Sequence, residues 1–108
     1  MRIGKLNRRV SLQQPTEVRD ELGQPMPGWS ELARPWAYVR YLNGKEYATS
    51  GTEVSGATAS VRIRYRQDVT ASMRIVHGST ILNVLAVLPD EGDREYIDLA
   101  CNTGANDG

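Results

Sequence analysis

Arg62, Arg64 and Arg66 recur at every second position of the run Val61-Arg62-Ile63-Arg64-Tyr65-Arg66. In an extended chain such residues share one face and stand about 6.5–7 Å apart. That spacing suits successive phosphates or a row of carboxylates, since a guanidinium grips either with paired N–H donors. Three readings follow: a solvated outer face balanced by acids such as Asp98 on a neighbouring strand, an interface with another protein subunit, or a nucleic-acid track. Thirteen basic residues balance thirteen acidic ones, and this neutrality weighs against the last reading. Trp29, Trp36, Tyr38 and Tyr41 admit a base-stacking platform, but such residues more commonly fill the core and interfaces of a small barrel.

Catalytic chemistry finds no foothold. His77, the single histidine, precedes Gly78 in a turn-like run. With one His and one Cys, a single chain cannot assemble the usual N/S ligand set for zinc. A Ser-His-Asp arrangement lacks any nucleophile-elbow spacing. Cys101 falls on the apolar face of the last predicted strand, where a thiol is buried and inert. The acids Asp90, Glu91, Asp93 and Glu95 lack the alternating Asp-rich loop of a calcium site. Gly51 and Gly56 are not followed by the Gly-Lys-Ser/Thr of a phosphate loop. The sequence therefore predicts no enzyme, no cofactor and no metal site.

The elements that would carry these residues are strands. Arg9-Val10-Ser11-Leu12-Gln13 alternates polar and apolar, with Pro15 expected to end it. Pro15, Gly23, Pro25, Pro27 and Gly28 mark a long hairpin-like excursion, turning at Asp20-Glu21-Leu22-Gly23. Residues 36–42 are rich in aromatic and branched side chains and read as a second strand. The arginine ladder forms the third, and residues 73–76, 80–88 and 94–101 complete six. Ile97, Leu99 and Cys101 fall on one face of the last strand, Tyr96 and Asp98 on the other. Six strands without a convincing amphipathic helix predict an all-β, single-domain β-barrel over residues 1–101, with 102–108 as a disordered tail.

Between the second and third predicted strands lies a long loop, residues 43–60, whose large apolar side chains are Tyr47 and Val54 alone. It buries too little to join a core, and loops of this length inside compact domains are usually functional or disordered.

With 108 residues there is room for one domain. The mean hydropathy of −0.46 and the lack of an apolar run near the roughly 20 residues of a membrane helix predict a protein without a membrane association, made in the cytoplasm. Charge is nonetheless uneven. Arg2, Lys5, Arg8 and Arg9 precede the first acid, whereas residues 89–108 hold six acids against Arg94. Such opposition is attractive within one subunit or between neighbours.

In order along the chain, Gly4-Lys5-Leu6-Asn7-Arg8-Arg9-Val10, then Gly23 and Trp29, then Trp36-Ala37 with Val39, Leu42, Gly44 and Glu46, and finally Arg64-Tyr65-Arg66 with Asp68 and Met73-Arg74-Ile75 resemble the head–tail joining family of tailed bacteriophages, also called head-completion or stopper proteins. The run His77 to Leu82 departs from the family in lacking an aromatic at that strand's entry. The resemblance implies a non-enzymatic β-barrel in the virion that forms a ring beneath the portal or connector, retains packaged DNA and docks the tail. It also implies a channel-facing loop, here carrying Asn43, Gly44, Lys45, Glu46, Tyr47, Gly51, Glu53 and Gly56, near DNA but without sequence specificity. Arg8, Arg9, Arg62, Arg64, Arg66 and Asp98 are candidates for inter-subunit or partner contacts. A ring-forming tail-completion or tail-terminator protein and a small single-stranded nucleic-acid-binding barrel are the alternatives. No large apolar stripe is left over after the core is assigned, which predicts a monomer in dilute solution.

Overall fold

Alternation of apolar and polar residues along short runs, punctuated by Gly, Pro and Asp turns, dictates half-buried antiparallel strands. The computed structural model describes residues 6–42 and 56–103. Eight strands appear: β1 (Arg8–Arg9), β2 (Ser11–Arg19), β3 (Pro25–Ala33), β4 (Trp36–Tyr41), β5 (Ala59–Arg64), β6 (Arg74–His77), β7 (Thr80–Pro89) and β8 (Tyr96–Asn102). They form one antiparallel sheet in the order β1-β4-β5-β8-β7-β6-β2-β3. No helix occurs among the described residues, and the all-β expectation holds.

The count of six becomes eight for two reasons. The first predicted strand is split at Val10 into β1 and β2, which pair with opposite margins of the sheet: Arg8 and Arg9 with β4, and Ser11 to Gln13 with β6. Val10 bridges the break, donating its N–H to the Pro35 carbonyl at 3.1 Å. One bent segment thereby serves both β4 and β6, and the sheet curls into a half-barrel. The second addition is β3, which the proline-rich composition concealed.

Pro15 does not end the strand. It lies within β2 opposite Trp29, while Pro25 and Pro27 of β3 face Arg19 and Glu17. Asp20 donates its N–H to the Gln24 carbonyl at 3.0 Å, so the pairs at Arg19/Pro25, Glu17/Pro27 and Pro15/Trp29 alternate into the non-hydrogen-bonded class. At those positions a backbone N–H would point away from the partner strand, so proline forfeits no bond of this ladder. The predicted turn holds. Gly23 has φ +79°, the left-handed conformation that closes a three-residue hairpin loop, and the Asp20 carboxylate accepts the N–H groups of Leu22 (2.9 Å) and Gln24 (2.8 Å). At Gly28 the strands approach closely: a Cβ there would lie 2.9 Å from Val18 Cγ1.

The interior is filled by inward residues from every wall of the curl. Val10, Leu12, Val61, Ile63, Ile75, Leu82, Ile97, Leu99 and Cys101 are all fully buried. In β7 ordinary alternation buries Leu82 and Val84 and turns Ile81 outward, and past the bulge between Val84 and Ala86 the alternation is lost, with Leu88 exposed.

β4 and β5 pair directly, Tyr41 opposite Ala59, and Leu42 N–H bonds the Thr58 carbonyl at 2.9 Å. The long connection therefore joins β4 to β5 and ends sooner than expected, since Ala59 and Ser60 belong to β5 and Ala59 is fully buried. Asn43, Gly44, Lys45, Glu46, Tyr47, Gly51 and Glu53 lie outside the described residues. Gly56 is exposed with φ +83°. At the other end, Asn102 completes β8, and Thr103 donates its N–H to Thr58 Oγ1 at 3.1 Å, so residues 102 and 103 belong to the fold and not to the predicted tail; residues 104–108 lie outside the described part.

Leu99 packs where β5, β7 and β8 meet, opposite Val61 and Val87. Leu99→Ala is expected to lower unfolding free energy by about 3 kcal/mol, measured by urea denaturation.

Candidate inter-subunit and partner surfaces

The outer face of β5 and β8 is built by register. Arg62 stands directly opposite Asp98, and the two meet in a bidentate pair, Nε to Oδ1 at 2.7 Å and Nη2 to Oδ2 at 2.9 Å. The same guanidinium lies 3.8 Å from the centroid of the Tyr96 ring, which shields it from water on one side. The Asp98 hydrogen bonds hold Arg62 above its ordinary pKa against the opposing effect of burial.

Arg66 does not continue this row. β5 ends at Arg64, and Arg66 turns to Asp68 two residues on, with bonds of 2.6 and 2.8 Å. That contact raises Arg66 and holds the Asp68 carboxyl below its usual range. Of the three ladder arginines, Arg64 alone is exposed and has no acidic partner among the described residues. The balanced-face reading thus accounts for two arginines, Arg62 and Arg66.

Arg8 and Arg9 part company. Arg9 sits opposite Trp36, on the outer face, with its guanidinium 5.3 Å from the indole centroid and its Nε bonded to the Arg34 carbonyl at 2.6 Å. Arg8 is opposite the buried Ala37 and so leaves the sheet on the other side. Around Arg9 the outer surface of β4 presents Trp36, 52% exposed, with Tyr38 and the exposed Arg40. The Arg40 and Arg64 side chains lie on the same outer face as Arg62, since Tyr38 is opposite Arg62 and Arg40 opposite Ser60.

A second polar group ties β2, β3 and β6 together. Ser11 donates to Glu31 at 2.7 Å, Gln13 donates to Ser11 at 3.1 Å, and Arg74 Nε donates to Gln13 Oε1 at 2.8 Å. Arg34 closes on Glu31 at 2.9 Å. The Ser11 hydroxyl, assisted by Arg34, holds the Glu31 carboxyl below its ordinary value. Arg74 also covers the Trp29 ring at 4.2 Å, and Trp29 Nε1 is buried without a hydrogen-bond partner. Trp29 is therefore a packing residue at the base of the hairpin, away from the β4 aromatics. Sequence reasoning missed this network, because contacts across 20 to 61 residues exist only once the register is known.

Elsewhere the Asp90 carboxylate acts locally. Asp90 Oδ1 accepts the Gly92 N–H at 3.1 Å and Oδ2 the Glu95 N–H at 3.4 Å, organising the turn between β7 and β8. Cys101 is fully buried, and burial pushes its pKa up to about 12.

Two expectations follow. Arg62→Ala leaves a half-buried carboxylate unpaired and should lower stability by about 1–2 kcal/mol, with a coupling to Asp98→Ala of about 1 kcal/mol in a double-mutant cycle from denaturant curves. Cys101 should resist a chromogenic disulfide reagent at pH 8 in the folded protein and react at once in guanidinium, because only unfolding exposes and acidifies it.

Comparisons with known proteins bear on what these surfaces serve. The chain is 28% identical over 110 residues to head completion protein gp7 of Enterobacteria phage HK97, covering 97% of this chain and 98% of that protein. The solution structure of protein SF1141 from Shigella flexneri 2a matches with a TM-score of 0.76 and 32% identity, over 98% of this chain and 99% of that one. A chain in the virion of a native gene transfer agent particle shares the fold, with a TM-score of 0.59 and 21% identity over 91% and 96% of the two chains. The sequence profile of the phage head completion proteins matches residues 1–104, and the chain belongs to that family of structural virion proteins.

Proposed function

We propose that this protein completes the DNA-filled head by forming a ring between the portal or connector and the tail, retaining the genome and docking the tail. The observation that carries this reading is family membership along nearly the whole chain, residues 1–104. The surfaces are compatible with it. Two of the three ladder arginines are neutralised within the subunit, which leaves too sparse a row of cations for a nucleic-acid track but a face suited to protein contacts. The reading includes no catalytic step.

In this reading the connection from β4 to β5 faces the channel, near DNA and without sequence specificity. Its support is the resemblance to head–tail joining proteins, together with the hydrogen bond between Leu42 and Thr58, which holds the two ends of the connection side by side.

Disrupting the gene in its phage should yield packaged heads that lack tails or lose DNA, with rescue by the intact gene. Replacing residues 44–55 by a short Gly-Ser linker, which spares buried Ala59, should leave the melting transition within a few degrees yet reproduce that defect. Fully infectious particles from the disrupted gene would overturn the head-completion role; full infectivity of the linker variant alone would overturn the channel role.

A further inference from the structure

Past Gln13, β2 loses its pairing with β6 and continues with β3 alone. The six residues from Gln14 to Arg19 extend about 20 Å at the usual rise of a strand. A two-stranded ribbon is marginal in water by itself, so this arm gains little by projecting unless something receives it.

Its side chains point to a receiver. Val18 (43% exposed) lies directly opposite Met26 (44%), and Leu22 at the tip is 84% exposed. These are three of the seven large apolar side chains left exposed among the described residues; a fourth, Trp36, lies on the outer face of β4, whereas Tyr41, opposite the buried Ala59, leaves that strand on the other side. Glu17, Asp20 and Glu21 against Arg19 give the arm two excess negative charges. On the outer face of β1, β4 and β5, Arg9, Arg40, Arg62 and Arg64 against Asp98 leave three excess positive charges. The arm and this face stand at opposite ends of the strand order.

Edge pairing is weakened along the arm, most on β3. Pro15, Pro25 and Pro27 occupy positions where the outward N–H would have been, which removes donors from both margins of the ribbon. What remains is a tip that binds through its side chains.

We propose that the apolar, acidic tip of the β2–β3 hairpin of one copy docks on the arginine- and aromatic-bearing outer face of β1, β4 and β5 of the next copy. The occupant is a second copy of this chain because one molecule carries both complementary surfaces. A contact between different patches is heterologous, and repeated around an axis it closes a ring. The inference rests on the ring reading given above and names the surfaces that build it.

The test uses particles assembled with variants of the full chain, with copy number per particle measured by quantitative mass spectrometry. Leu22→Cys and Arg64→Cys alter exposed residues, and the native thiol of Cys101 is buried. A flexible bis-maleimide should convert the double variant into a ladder of dimers, trimers and larger species, and leave each single variant monomeric. Dimers from Leu22→Cys alone mean a two-fold contact and overturn the proposal. A ladder from Glu91→Cys with Arg64→Cys, in place of the hairpin pair, assigns the face to the acidic β7–β8 turn and overturns it too. Several copies per particle without any ladder refute the arm and leave the ring intact; one copy per particle refutes both.

A charge exchange provides the independent measurement. Glu21→Arg should reduce incorporation into particles about tenfold, and adding Arg64→Glu to the same chain should restore it to within about twofold, as expected of opposed charges in a contact. Incorporation unchanged by Glu21→Arg, or no recovery in the double variant, overturns the assignment.

Discussion

Val10 separates two strands that belong to opposite margins of the same sheet. Without it β4 would keep β5 alone, or β6 would keep β7 alone, and the margin so opened would expose its ladder groups to any other chain. The residue meets the requirement in two ways. Its side chain is buried in the core, and its N–H is kept bonded by the Pro35 carbonyl while the chain changes partners. Because Pro35 immediately precedes β4, the same contact sets where β4 begins. From there the order follows: β4 against β5, β5 against β8, β8 against β7, and β7 against β6, which returns to β2.

Strand register also decides which charges are available. Fixing β5 against β8 in the register that pairs Val61 with Leu99 places Arg62 on Asp98. One hydrophobic choice therefore fixes one ionic choice, since a slip by a single residue would move the whole apolar set to the outer face. Arg66 escapes that register by lying past the end of β5 and finds Asp68 locally. Arg64 remains without either solution, opposite Tyr96. The ladder is regular in sequence, yet its three members have three different surroundings.

This bears on what could be read from the sequence. Period-two alternation identified the core sides of β5 and β8, because each of those strands has one buried face and the pattern survives whatever its neighbours are. Burial of Cys101 followed from the same parity. The hairpin turn was legible from Asp20 and Gly23, whose roles are local. Pro15 misled because a proline ends a strand only where its N–H is needed, and that depends on the pairing class opposite Trp29. The network of Ser11, Glu31, Gln13 and Arg74 was invisible for a related reason: no local pattern announces which distant residues will be neighbours. The Arg62–Asp98 pair was foreseen as one alternative, but choosing it required the register.

A neutral chain with separated charges behaves differently from one with a uniform field. At physiological salt, interactions between exposed charges fade over about 8 Å, so two such molecules barely sense each other until their surfaces touch. Where a basic face and an acidic arm do touch, exclusion of water between Trp36-like and Leu22-like side chains strengthens the remaining attraction. The orientation of contact is then selected strongly, while random encounters are not. The forfeited N–H donors at Pro15, Pro25 and Pro27 serve the same end, since an arm with intact edges would add to any exposed strand regardless of orientation. Neutrality overall, charge separation within, and an arm whose edges are blunted by proline all favour contacts through side chains in one orientation over unspecific strand addition.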